Sequence, residues 1–267
     1  MPSLDQLEVG ASIFALFIGK SGSGKTCAAA SFPGPIKFLD FDGRIRGILG
    51  ANWIDRKGLG EVIQFPPDPK KPTYIKVSEI IETDLAFCNM GKYPFKTLVL
   101  GSLTAQTFSF LSDAKAITHA GNKGKSLGKL PMAGPEDYGF EATGTYQMLA
   151  GLRSLYEHPN GPKNVIIDAH IVDKWGKPIK DNGDTDTYAA SEVVGEKLSL
   201  RDKISENVQI YFDHVWRFDS RMVGNEPHHY VSFRTDLART SFANLPNGQV
   251  DITGKPFYQE LKRLAGF

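Results

Sequence analysis

An α/β fold with a central, mostly parallel sheet flanked by helices is what this chain predicts, on three observations. Apolar strand-like runs alternate with helical patterns along residues 10–205. A glycine-rich turn joins the first of those strands to the first helix. Residues 206–267 then change to alternating, aromatic-rich stretches that predict C-terminal antiparallel strands and a closing helix. At 267 residues the chain can bury a full core, and one domain with embellishments is expected.

The first strand is the apolar run Phe14-Ala-Leu-Phe-Ile18, and the alanine-rich stretch after Lys25 is the first helix. Between them Gly19, Gly24, Lys25 and Thr26 satisfy G-x-x-x-x-G-K-[ST]. Such a loop turns backbone N–H groups inward as an anion nest, and the helix N-terminus adds partial positive charge. Gly19, Lys20, Ser21, Gly22, Ser23, Gly24, Lys25, Thr26 and Cys27 are therefore the candidates to hold a nucleotide, with Lys25 on the β/γ-phosphates and Thr26 on Mg²⁺.

The next elements follow in order. Phe32-Pro-Gly-Pro35 breaks the chain, and residues 36–42 read as a second strand ending in Asp40 and Asp42. These carboxylates can polarise an attacking water, with Asp40 also a candidate metal ligand, or can simply end a strand in a turn. Residues 61–76 hold a Pro-rich excursion read as a surface loop, before an amphipathic helix near 77–89. An apolar strand, Phe95-Lys-Thr-Leu-Val-Leu100, leads to Gly101-Ser102, and a helix is expected from 104 to about 119.

Residues 121–135 contain four Gly and three Lys (Lys123, Lys125, Lys129) and read as a mobile basic loop, either solvated or following a phosphate backbone. Residues 136–157 carry Tyr138, Phe140, Tyr146, Leu149, Leu152 and Leu155 at helical spacing. Another buried-type strand, Asn164-Val-Ile-Ile-Asp-Ala-His170, places Asp168 and His170 at the end that lines the ligand crevice of an open α/β sheet. His170 can sense a γ-phosphate or sit neutral at the sheet edge. Residues 171–197 are polar and Gly/Asp-rich, with Lys174, Trp175 and Lys177, and read as a second mobile loop. Lys beside an exposed Trp suits single strands, though a Trp packed on the body explains the same residues.

Composition excludes little. Lys+Arg 31 against Asp+Glu 30 leaves a net charge of +1, so no global field draws the chain to a polyanion. Two cysteines make no disulfide framework, no apolar run is long enough to span a membrane, and the N-terminus lacks a basic signal-peptide start. A cytoplasmic protein without a membrane partner is expected.

Nucleoside-triphosphate hydrolysis needs a metal-side carboxylate, a residue to orient water, and a cation against the transition-state charge. The strand at 97–100 is where the metal-side Asp is expected, yet Gly101 follows; Asp168 is the possible substitute. If no carboxylate replaces it, the nucleotide acts as a conformational latch and Gly101→Asp raises turnover. A small-molecule phosphotransferase is the third reading, against which no arginine-rich lid segment follows the central helices.

These pieces together resemble the phage-encoded RecA-like P-loop ATPases of the ATP-binding Sak type, single-strand annealing and recombination proteins. The marks run from Phe14 to about Leu245: Gly19-Lys-Ser-Gly-Ser-Gly-Lys-Thr26, Asp40-Phe-Asp42-Gly43, Leu98-Val-Leu-Gly-Ser-Leu-Thr104, Tyr138-Gly139, Asn164 to His170, Tyr211-Phe-Asp-His-Val215, and Phe233-Arg-Thr-Asp…Ala238-Arg239. The resemblance implies a RecA-like core that uses ATP and Mg²⁺. In it Asp42 is the catalytic acid, His170 couples nucleotide to DNA, and Arg239 reaches a neighbouring subunit's nucleotide. It places DNA-contacting loops at Lys123, Lys125, Lys129, Lys174, Trp175 and Lys177. It also implies single-stranded DNA as partner, a homo-oligomeric ring or filament, a single-strand-binding protein as a further partner, and a bacterial host cytoplasm. Two departures are Gly101 in place of Asp and the lack of a second basic residue near Ser241.

Overall fold

The computed structural model describes residues 12–50, 58–68, 70–119, 126–127, 130–131, 133–177 and 191–267. Its first strand, β1 (Ile13–Gly19), is buried at every position. A strand with no exposed face belongs at the centre of a sheet covered on both sides, and that is where β1 lies. Phe14, Leu16 and Ile18 face one apolar layer, while Ile13, Ala15 and Phe17 face the other.

The remaining elements, in chain order, are α1 (Lys25–Ala30), β2 (Ile36–Asp40), β3 (Leu59–Gln64), α2 (Thr73–Asn89), β4 (Thr97–Gly101), α3 (Leu103–His119), the short β5 (Ser126–Leu127) and β6 (Leu130–Pro131), α4 (Pro135–Glu157), β7 (Asn164–Gly176), β8 (Glu192–Leu198), α5 (Asp202–Asn207), β9 (His214–Val223), β10 (Glu226–Ser232), β11 (Gln249–Asp251) and α6 (Phe257–Ala265). One nine-stranded sheet has the order β11-β10-β9-β1-β7-β4-β2-β3, with β8 paired to β7. The strands from β9 to β3 in that order run parallel, and β10 and β11 continue the sheet antiparallel. The expected fold class is the observed one.

Residues from α2, α3 and α4 pack with the Phe14 face, among them Val77, Phe110 and Leu149. On the other face α1 and α6 cover an aromatic cluster of Phe17, Trp216, Phe218, Phe233 and Phe257. Phe257 meets Phe17 edge-on at 5.7 Å and Trp216 at 5.6 Å, an arrangement that adds to simple area burial.

Four expectations are corrected. Leu59–Gln64 is an edge strand paired with β2, where a Pro-rich loop was expected from 61. The helix after it begins at Thr73 rather than 77. Within the supposed loop at 171–197, residues 171–176 and 192–197 form an antiparallel ribbon, since β7 runs on to Gly176 and β8 pairs with it from Leu198 opposite Ile171 to Glu192 opposite Gly176. The C-terminal strands β9, β10 and β11 pair antiparallel in succession as expected, with β9 also parallel to β1, but residues 208–211, expected in the first of these strands, form a 3-10 turn. Lys123, Lys125 and Lys129 lie outside the described residues. Among the described residues no helix is long and apolar enough to cross a membrane.

Candidate functional site

Sheet register brings four strand ends together. Gly19 stands opposite His170, Phe17 opposite Asp168, Leu100 opposite Ile167, and Asp40 opposite Gly101. The carboxyl ends of β1, β7, β4 and β2 therefore share one crevice, the usual ligand position of an open parallel sheet. It opens into a cavity of about 330 Å³ lined by residues 21–28 of the loop and helix, by Asp42, Arg44, Asp168 and His170, and by His229, Ile252 and Lys255 of the C-terminal region.

The loop's glycines have physical reasons. A Cβ on Gly19 would stand 2.3 Å from the Phe218 carbonyl oxygen and 2.6 Å from Ser23 Oγ, so only glycine fits against β9. Gly24, which starts α1, has φ +92°, a left-handed conformation that a side chain resists. The Lys25 side chain folds back beneath the loop, its ammonium donating to the carbonyls of Gly19 at 2.8 Å and Lys20 at 3.0 Å. Burial pushes its pKa down, opposed by the charges of Asp168 and Asp42.

Asp42 sits at the far side of the crevice. Its Oδ1 accepts from Ser102 Oγ at 3.0 Å, and its Oδ2 lies 3.3 Å from His170 Nε2. Burial acts to raise its pKa, yet the hydrogen bonds from His170 and Ser102 and the charges of His170 and Arg44 outweigh it and hold the carboxyl below its usual range. His170 is anchored by its backbone N–H on Thr104 Oγ1 at 3.0 Å, and its Nδ1 is buried without a partner. Asp168 is 2% exposed; burial raises its pKa to about 6 despite the Lys25 charge. Cys27 is half-buried in the cavity wall, and burial pushes its thiol up.

The predicted residues are not all brought together. Asp40 ends β2 with both oxygens committed to the following turn, accepting from the N–H groups of Arg44 at 3.2 Å and Ile45 at 3.4 Å and from Gln64 Nε2 at 3.3 Å. It is a turn cap here, as an Asp at a strand end often is. Arg239 is exposed outside the cavity, bridging β9 through Val215 and donating to the Gln209 carbonyl. Lys174 and Trp175 stand on the ribbon, with Trp175 65% exposed, and Lys177 follows it. Among the described residues no group of three or more His, Cys, Asp or Glu side chains is placed to hold a metal ion.

Several lining residues escaped the sequence reading. Arg44 donates to Ser21 Oγ at 2.9 Å and so places a guanidinium over the loop. His229 approaches the loop so closely that a Cβ on Gly24 would stand 3.2 Å from its Nδ1, an atom buried without a partner. Ile48, Ile252 and Phe257 supply an apolar wall. A Gly-Arg after Asp42 was the one available sign for Arg44; the C-terminal residues carry no local signature.

The loop also touches the ribbon. Lys20 pairs with Asp173 at 2.8 Å and lies 3.9 Å from Glu196, while Arg217 of β9 pairs with Glu196 at 2.8 Å.

The chain matches no family model and no curated protein. Among solved structures it is similar to a KaiC-like protein from the hyperthermophilic archaeon Pyrococcus horikoshii OT3, with 16% sequence identity and a TM-score of 0.44 over 90% of this chain and 88% of that one. The strand order and the loop geometry define the fold class without that likeness.

Proposed function

We propose that the chain is an ATP-binding P-loop ATPase with a RecA-like core that acts on single-stranded DNA, as the resemblance to the ATP-binding Sak type implies. The observation that supports nucleotide binding best is the shared cavity: the 19–26 loop, the buried Lys25 ammonium and the Asp42–His170 pair all line one space with an apolar wall beside it. An incoming β/γ-phosphate replaces the carbonyls now held by Lys25, and the base lies against Ile48, Ile252 and Phe257.

Mg²⁺ fits this donor set. It takes hard oxygens, needs only one or two from the protein, and keeps phosphate oxygens and waters for the rest; the Thr26 hydroxyl would hold it, with carboxylate oxygen close by. When bound, the ion neutralises charge on the phosphates. In hydrolysis a water oxygen bonds to the γ-phosphorus and the bond to the β–γ bridging oxygen breaks, releasing ADP and phosphate. Asp42 takes the water's proton, the support for this role being that His170 and Ser102 aim its carboxylate into the crevice.

For DNA, the support is the ribbon. It offers an exposed indole for base stacking and Lys174 beside it, and the Lys20–Asp173 pair joins it to the phosphate loop. Arg239, exposed and outside its own cavity, suits insertion into a neighbouring subunit of a ring or filament. ATP turnover and single-strand affinity measured together, with and without Mg²⁺, test the proposal. Mg²⁺-dependent turnover that rises on adding single-stranded DNA is expected; no DNA binding at low salt in either nucleotide state refutes the DNA assignment.

A further inference from the structure

β4 ends without a carboxylate, and the structure shows what fills the place. Asp168 reaches in from β7, the strand between β1 and β4 in the sheet. Its Oδ2 is 3.4 Å from the Thr26 hydroxyl. A Cβ built on Gly101 would stand 3.3 Å from that same Oδ2 and 3.9 Å from Cγ. A side chain at 101 and the Asp168 carboxylate therefore compete for one space beside Thr26, and glycine leaves it to Asp168.

The carboxylate is 2% exposed, and its hydrogen-bond partner, Thr26, stands beyond the usual O–H···O distance. Buried carboxylates are retained where they are paired or coordinate a metal. The ammonium of Lys25 is the nearby opposite charge in this state, but it is turned toward the loop carbonyls. Hard oxygens from Thr26 and Asp168, with a phosphate in front of them, make a Mg²⁺ corner.

We infer that Asp168 is the metal-side carboxylate of this site, moved one strand over, and that Gly101 is the position vacated to admit it. The inference rests on the nucleotide assignment above. It reverses the expectation that Gly101→Asp raises turnover, since that change drives a second carboxylate against the first.

Titration calorimetry of ATP into the full chain, in Mg²⁺ and in EDTA, tests it. Wild type is expected to bind ATP about tenfold or more tightly with Mg²⁺, and Asp168→Asn to lose that enhancement. Affinity in EDTA should not fall below the wild-type value in the variant, since a negative charge beside Lys25 has been removed, and that retained affinity reports a folded loop. Gly101→Asp alone loses much of the enhancement, and Gly101→Asp combined with Asp168→Ala regains it. An Asp168→Asn protein with the full Mg²⁺ enhancement overturns the inference while leaving nucleotide binding intact. A double variant no better than Asp168→Asn overturns the shared-space part of it. Wild type that binds ATP in neither buffer overturns the nucleotide assignment itself.

Discussion

His214 makes the frame of the site sensitive to acid. It lies on β9 opposite Ala15 of β1, at the seam that carries the phosphate loop. The ring is 2% exposed, stacked on Phe242 at 4.4 Å, and its Nδ1 lies 3.0 Å from Thr240 Oγ1 and accepts from the Ser241 N–H at 3.4 Å. Burial pushes its pKa down to about 4, with Asp213 opposing only in part. An unfolded histidine titrates near 6.5, so between those values the unfolded chain binds a proton that the native fold excludes. Stability from this residue is therefore present at neutral pH and is lost as pH falls from about 6.5 towards 4. Integrated from pH 7.5 to 4.5 the loss is about 2.5 kcal/mol.

His214→Asn keeps an acceptor for Ser241 but cannot titrate. Losing the stacked ring lowers stability at neutral pH, by about 1–3 kcal/mol. Urea unfolding of both proteins from pH 7.5 to 4.5 reads the difference. The wild-type advantage should shrink by about 2.5 kcal/mol across that range; an advantage constant with pH would falsify the assignment of His214 as a buried neutral ring.

Three further predictions concern the site. Asp42→Asn should lower ATP turnover about 10²–10⁴-fold with little change in ATP affinity, and steady-state kinetics showing wild-type turnover would remove Asp42 from the chemistry. Trp175→Ala should weaken single-strand binding by about 1–3 kcal/mol while ATP affinity is unchanged, measured by fluorescence anisotropy; equal DNA affinity would move the stacking surface elsewhere. Asp173→Ala removes an exposed ion pair screened by solvent, so thermal stability should hold, while stimulation of turnover by DNA falls. Full stimulation in that variant would mean the Lys20 contact transmits nothing.

Much of this was legible locally. The phosphate loop carries its own signature at Gly19, Gly24, Lys25 and Thr26, and β1, β4 and β7 announce themselves as apolar runs. Edges and pairings were not. β3 reads Leu-Gly-Glu-Val-Ile-Gln beside a Pro-rich stretch, and most of it is exposed at the sheet edge, so its periodicity is weak. The end of β7 has four exposed residues in a row, Val172 to Trp175, and is strand only because β8 pairs with it. The parallel docking of β9 on β1 joins segments about two hundred residues apart, and with it come His229, Ile252 and Phe257. Asp40 and Asp42 looked equivalent in sequence; the turn after β2 takes up the first and leaves the second facing His170. Asp168 was visible as a carboxylate on a strand end, but the reason for Gly101 appears only when the two strands are side by side.

Nucleotide binding by the 19–26 loop through Lys25 is read by equilibrium binding of ATP with Mg²⁺ to wild type and Lys25→Ala. The buried ammonium is the main positive charge beneath the loop. Replacing it should weaken ATP by about a hundredfold, as expected for a lost charged hydrogen-bonding partner of about 3 kcal/mol, with the fold retained by circular dichroism. A Lys25→Ala protein that binds ATP as tightly as wild type would place the nucleotide elsewhere than on this loop.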